Sequence, residues 1–178
     1  MSIKLAILII MASPEFYLSK GRLNTVKKNS GYVVSLSKEY NFDPMLIFAL
    51  IYVESGWKKT SVSSAGACGL TQVMPKYTGN GRGGENPAGV KKLSCDQLKK
   101  SRVSIKAGIK TLNWWRKYHN GDISRALCSY NAGFRCSYKK NKKGKIVKSP
   151  NKHGMRYSRK VLRYKNKFSK KYSLISAK

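Results

Sequence analysis

Acidic side chains are scarce in this chain: 7 Asp and Glu stand against 37 Lys and Arg, leaving a formal net charge of +30 over 178 residues. Each carboxylate is therefore informative about what the chain needs it for. Histidine is nearly absent. His119 and His153 have no partners at metal spacing and are expected to be exposed, and the four cysteines form no C-x-x-C pair, so a zinc site is not indicated. No metal or cofactor is called for. Long apolar runs are missing too: the N-terminal one begins at Leu5 and ends at Ala12, far too short to cross a bilayer. Internal repeats are absent and strand signals are few, which points to a helical domain. Gly79, Gly81 and Gly84 satisfy G-x-G-x-x-G in form only. No strand leads into them and no helix opens on them, so they do not mark a dinucleotide site.

What is abundant is positive charge. A surface of this sign associates with polyanions, either anionic envelope polymers or nucleic acid. The N-terminal segment, with one Lys ahead of the Leu5–Ala12 run, suits a signal-peptide h-region, with Ala12 as the cleavage residue although no A-x-A is present. The alternative is an apolar element packed on the domain. Export to the periplasm or cell envelope is the expectation, and two disulfides among Cys68, Cys95, Cys128 and Cys136 would accompany it. Four cysteines allow three connectivities, and the sequence does not choose among them.

One stretch organises the rest. Met45 opens an apolar run with Asp43 as N-cap, Pro44 at the first helical position, Phe42 and Ile47 as a hydrophobic staple, and Gly56 as the stop. On this helix Ile47, Leu50 and Ile51 share a face with Glu54. A carboxylate facing inward is costly unless it is paired or functional. Past Glu54 the chain turns polar, with Ser61, Ser63 and Ser64, then Gly66 and Gly69 around Cys68, then Leu70, Gln72 and Met74 alternating up to Pro75. Polar groups and close backbone beside a half-buried acid form a pocket suited to general-acid chemistry.

These residues resemble those of the soluble lytic transglycosylase (SLT) domain family. Glu54-Ser55, Trp57, Ser63 and the run Gly66-Ala67-x-Gly69-Leu70-x-Gln72-x-Met74-Pro75 fall in register with its motif. A second block, A-Y-N-A-G, appears as Ser129-Tyr130-Asn131-Ala132-Gly133 after Cys128, and a third as Tyr157 four residues before Val161. Departures are Lys59, Ser129 and Thr71, the last expected to alter the pocket wall. The resemblance implies an all-α, lysozyme-like domain acting on peptidoglycan. It implies cleavage of the β-1,4 bond between N-acetylmuramic acid and N-acetylglucosamine, giving 1,6-anhydromuramic ends. Glu54 would be the catalytic acid and then base. Ser55, Ser63 and Gln72 would orient the acid or the N-acetyl group, Met74, Tyr130 and Tyr157 would shape the sugar subsites, and Asn131 would hold the cleft geometry.

Around that centre the chain divides into a signal-like segment and basic arm over 1–30, the domain over 31–168 and a basic tail over 169–178. Helices are expected over Gly31–Tyr40 and Ser104–Tyr118, from Asp122 to Gly133, and over Met155–Phe168. Of Trp114 and Trp115, one belongs to the core and the other to the surface, where Trp114 would suit sugar stacking. A Gly-rich rim loop occupies Lys76–Lys100 and a basic loop 134–152. A monomer is expected. Two other readings stand beside the first. One is a goose-type hydrolytic lysozyme on the same fold, with Glu85 or Asp96 activating water. The other is a polyanion-binding or virion structural protein that keeps a lysozyme-like fold. A phage or mobile-element origin, with the protein carried in a virion, also suits so small and Lys-rich a domain.

Overall fold

The computed structural model describes residues 7, 10–16, 18–79, 91–137, 139–140, 146–148 and 150–176. They form a helical domain whose helices are α1 (Lys20–Glu39), α2 (Pro44–Ser55), the short α3 (Cys95–Leu98), α4 (Ser101–Tyr118), α5 (Ile123–Ala132) and α6 (Lys152–Ser176). The only described strands are the antiparallel pair β1 (Lys139–Lys140) and β2 (Ile146–Lys148), within the basic loop. The all-α expectation holds.

Helix α2 forms for the reasons its sequence gives. Asp43 Oδ1 accepts from Met45 N at 2.9 Å, Pro44 takes the position where no amide hydrogen is needed, and Gly56 ends the helix in the left-handed region at φ 54°. From Met45 to Ile51 every residue is buried, so α2 is the central helix, with apolar neighbours on all sides. α6 packs along α2 and α5, while α1 and α4 close the other side.

Two helices are longer than their sequences suggest. The stretch 17–30, read as an arm, is helical from Lys20 onward and continuous with the expected Gly31–Tyr40 helix. Its inner face carries Val26 but also the buried polar pair Asn29 and Ser30, which obscured the apolar period. Likewise α6 runs on to Ser176 rather than stopping at Phe168, because Tyr172 and Ile175 continue its inward stripe. At the N-terminal side, Ile7, Ile10, Met11 and Phe16 are buried, and Phe16 meets Tyr52 and Phe168 edge to face at 5.6 and 4.9 Å.

Cys68 is bonded to Cys95 and Cys128 to Cys136. The first pins the loop after α2 to the start of α3. The second holds the turn after α5 beneath α6, where a Cβ on Gly154 would lie 2.7 Å from Cys128 Sγ and 2.8 Å from Cys136 Sγ. Trp115 is core and Trp114 half-buried, stacked on Tyr118 at 5.5 Å. His119, expected at the surface, is buried, and its Nε2 lies 2.7 Å from Ser129 Oγ; burial lowers its pKa. Ten residues separate that pair, so no local pattern announced it.

Candidate active site

Glu54 occupies the last turn of α2, where the apolar helix reaches the surface. The residue keeps a strip of exposure, but its carboxylate is enclosed, and burial pushes its pKa up to about 7. Two weaker influences pull the other way. Tyr157, on α6, donates its hydroxyl to Glu54 Oε1 at 2.5 Å, and the Lys160 ammonium, one turn further along α6, acts through its charge. No carboxylate among the described residues hydrogen-bonds to Glu54 or contributes to its shift. Asp96, one of the two acids proposed to activate water, has an 89% exposed side chain and is paired with Lys99 at 2.9 Å. Glu85, the other, lies outside the described residues, as does the middle of the Gly-rich rim loop.

The loop after α2 is tied back to the end of that helix, next to the acid. Cys68 bridges both Val62 and Val73, giving the loop a small sheet-like spine. Ser55 Oγ donates to Leu70 O at 2.8 Å, tying the end of α2 to this loop, and Ser63 Oγ accepts from Ala67 N at 3.0 Å. Gln72 stands at φ 50°, with its Nε2 donating to Gly69 O at 2.8 Å and Ser61 O at 3.1 Å. Gly69 is forced: it has φ 78°, and a Cβ there would lie 2.0 Å from Leu98 O. Ser55, Ser63 and the Gln72 amide nitrogen thus hold loop backbone. Met74 is half-buried just before Pro75, and Asn131 is exposed near the end of α5.

Thr71 sits differently from the expectation that it alters the pocket wall. It is fully buried and points at α4, where Oγ1 donates to Ser104 O at 2.7 Å and its amide donates to Ser104 Oγ at 3.1 Å. Gly108 makes room, since a Cβ there would come within 2.5 Å of the Thr71 side chain. Thr71 O then accepts the Tyr130 hydroxyl at 2.7 Å. Loop, α4 and α5 therefore meet at one residue. Tyr130 and Tyr157 are half-buried, and burial raises both phenol pKa values, with the nearby Glu54 charge adding to the effect. They stay protonated donors. Ser104 and Gly108 carried no signal in the sequence, because each serves a residue more than thirty positions away. Among the described residues no group of three His, Cys, Asp or Glu is placed to hold a metal.

Among the described residues, one carboxylate stands enclosed at a helix end and bonded to a phenol, within a helical, lysozyme-like domain. The chain belongs to the transglycosylase SLT domain family, whose model matches residues 31–152. Its fold is similar to that of an inactive mutant of lytic transglycosylase Slt from Pseudomonas aeruginosa. The TM-score is 0.60 and the identity 22%, over 79% of this chain and 24% of that one. The chain thus spans about a quarter of the length of that solved structure.

Proposed function

We propose that this protein is a peptidoglycan lytic transglycosylase with Glu54 as its acid and base. The observation that carries the reading is the state of Glu54. With its pKa at about 7 it holds a proton near neutrality, and no second described carboxylate is positioned beside it. A pair of carboxylates is the usual requirement for glycoside hydrolysis, and the substrate-assisted exception dispenses with one. Glu54 would give its proton to the glycosidic oxygen as the bond between muramic acid C1 and that oxygen breaks. The substrate's own N-acetyl group would stabilise C1. The carboxylate would then take the proton of the muramic C6 hydroxyl as that oxygen bonds to C1. Atoms balance without water, and the product ends in 1,6-anhydromuramic acid.

In this scheme the Tyr157 hydroxyl orients the acid, while Met74, Tyr130 and Tyr157 shape the sugar subsites. Ser55 and Ser63 act through the loop they brace, and Gln72 presents its remaining carbonyl oxygen toward the N-acetyl group. Asn131 bounds the cleft at the end of α5. The two disulfides support an oxidising compartment, hence export or carriage outside the cytosol. Release of soluble muropeptides from purified peptidoglycan tests the reading. Wild type should release them and Glu54→Gln should not; equal release by both would remove Glu54 from the mechanism.

A further inference from the structure

The loop after α2 stands on an anchor of its own, apart from the main core. Cys68, Val73, Leu98 and Ala107 form a separate small apolar cluster there, flanked by Leu93 and Cys95. Two of these six side chains are the halves of one disulfide, Cys68–Cys95. Cys95 and Leu98 belong to α3, a single turn closed by the capping box of Ser94 and Gln97. One turn of helix has no stability by itself. It nevertheless lies hard against the loop, because Leu98 O fills the space that a Cβ on Gly69 would need. The Gly69 carbonyl in turn accepts from Gln72 Nε2 at 2.8 Å. A continuous path therefore runs from α3 through the disulfide to the amide of Gln72. The inner part of the loop is fastened otherwise, Leu70 by Ser55 and Thr71 by Ser104. The outer part, from Ser61 to Gly69, has Cys68–Cys95 as its cross-link. The two disulfides also differ in access. Cys128 and Cys136 are fully buried, whereas Cys95 is half-buried between the exposed Ser94 and Asp96.

We propose that Cys68–Cys95 is a redox latch on the site: the oxidised protein is the active form, and a small thiol of the glutathione class switches it off. The proposal rests on the transglycosylase reading for the activity that is switched. The reductant's thiolate attacks Cys95 Sγ, the half that solvent reaches. A bond forms between these two sulfurs as the Cys68–Cys95 bond breaks, and Cys68 leaves as a thiolate that takes up a proton. A second reductant thiolate attacks the reductant sulfur of the mixed disulfide, releasing Cys95 as a thiol and the reductant as its own disulfide. That disulfide, in excess, runs the same steps backwards. With the bond open, α3 and the outer part of the loop come apart as a local unit while the helical core stays folded. Gly69 loses its backing, and the Gln72 amide is no longer set. Glu54 keeps its bond to Tyr157, and Thr71 keeps Ser104. The latch leaves the protein inert in a reducing cytosol and turns it on in an oxidising compartment.

The test poises the full chain in glutathione redox buffers and follows three readouts. These are muropeptide release from purified peptidoglycan, alkylation of each cysteine mapped by mass spectrometry, and hydrogen exchange of the backbone amides. Release should fall roughly a hundredfold as Cys95 becomes open to alkylation, the scale on which ångström misplacement of a positioning group acts. It should return on reoxidation. The amides of Ser63, Cys68 and Gly69, which bond within the loop, should lose protection while those of α2 keep it. Cys68→Ala/Cys95→Ala should show the low rate in every buffer, and Cys128→Ala/Cys136→Ala should still respond to thiol. Should either variant fail to fold, the mapped titration of wild type decides alone. Full activity with Cys95 alkylated overturns the proposal, as does a Cys128→Ala/Cys136→Ala protein that no longer responds. Loss of protection throughout α2 overturns it too, because the bond would then be a general staple of the fold. If the oxidised protein cleaves nothing, the transglycosylase reading falls and exchange alone judges the latch. The latch then stands if reduction exposes only α3 and the loop, and falls if it exposes neither.

Discussion

At the scale of the residue, everything turns on the proton of Glu54. Its pKa is raised from 4.5 to about 7 in the folded protein, so between those values the native state binds a proton that the unfolded chain releases. Stability therefore falls as pH rises through this window, by on the order of 3 kcal/mol once both forms are ionised. Glu54→Gln removes the titration and keeps the shape. It should lower turnover by roughly a thousandfold yet raise the melting temperature at pH 8, with the two proteins converging near pH 5. A variant no more stable than wild type at pH 8 would mean that the carboxylate is not held at a cost. The alkaline limb of kcat/KM should lie near pH 7, because the acid must be protonated to act. Tyr157→Phe deletes the hydrogen bond that lowers the Glu54 pKa, so that limb should move to higher pH. A limb that stays put or moves down would deny the phenol its influence. Glu54 itself was legible in the sequence because an acid followed Leu50 and Ile51 on an inward face. Lys160 was not, since only the crossing of α6 over the end of α2 brings it near.

At the scale of the element, the site depends on how the loop after α2 is anchored, and here the sequence was partly misleading. The caps of α2 were legible because they are local: Asp43, Pro44 and Gly56 all lie within one turn of the helix they bound. The inward turn of Thr71 was not, because its partners Ser104 and Gly108 belong to α4. Thr71→Val preserves the shape and the backbone bond to Ser104 Oγ but removes the hydroxyl that donates to the Ser104 carbonyl. That leaves a buried acceptor short of a donor, so the variant should lose about 1–3 kcal/mol in urea unfolding. Its activity should survive at temperatures where it stays folded. An unchanged unfolding midpoint would show that the anchor contributes nothing. The full lengths of α1 and α6 were hidden for a different reason: tertiary packing holds Asn29 and Ser30 inward, and basic residues interrupt the apolar stripe of α6.

At the scale of the whole molecule, the first residues described are integral to the core. Ile7, Ile10 and Met11 border a small apolar recess with Met45, Phe48 and Phe168, directly against the central helix. Processing at Ala12 would remove three of those six side chains. A chain beginning at Ser13 should therefore melt several degrees lower than the full sequence, given roughly 1.5–3 kcal/mol for each large apolar side chain buried. Equal melting temperatures would show that the segment is dispensable, as a cleaved signal would be. The net charge of +30 acts at this scale as well. Four of the seven acids, Glu15, Asp43, Asp96 and Asp122, carry ion pairs, so only a small part of that positive charge is neutralised within the domain by ion pairs among the described residues. The fold class was legible from the helical periods and the motif blocks, whereas the disulfide pairing required the three-dimensional path of the chain. The central claim is a single acid working without water, and mass spectrometry of muropeptides from a wild-type digest tests it most directly. The account predicts products ending in 1,6-anhydromuramic acid, one water lighter than their hydrolytic counterparts; predominantly reducing muramic ends would contradict it.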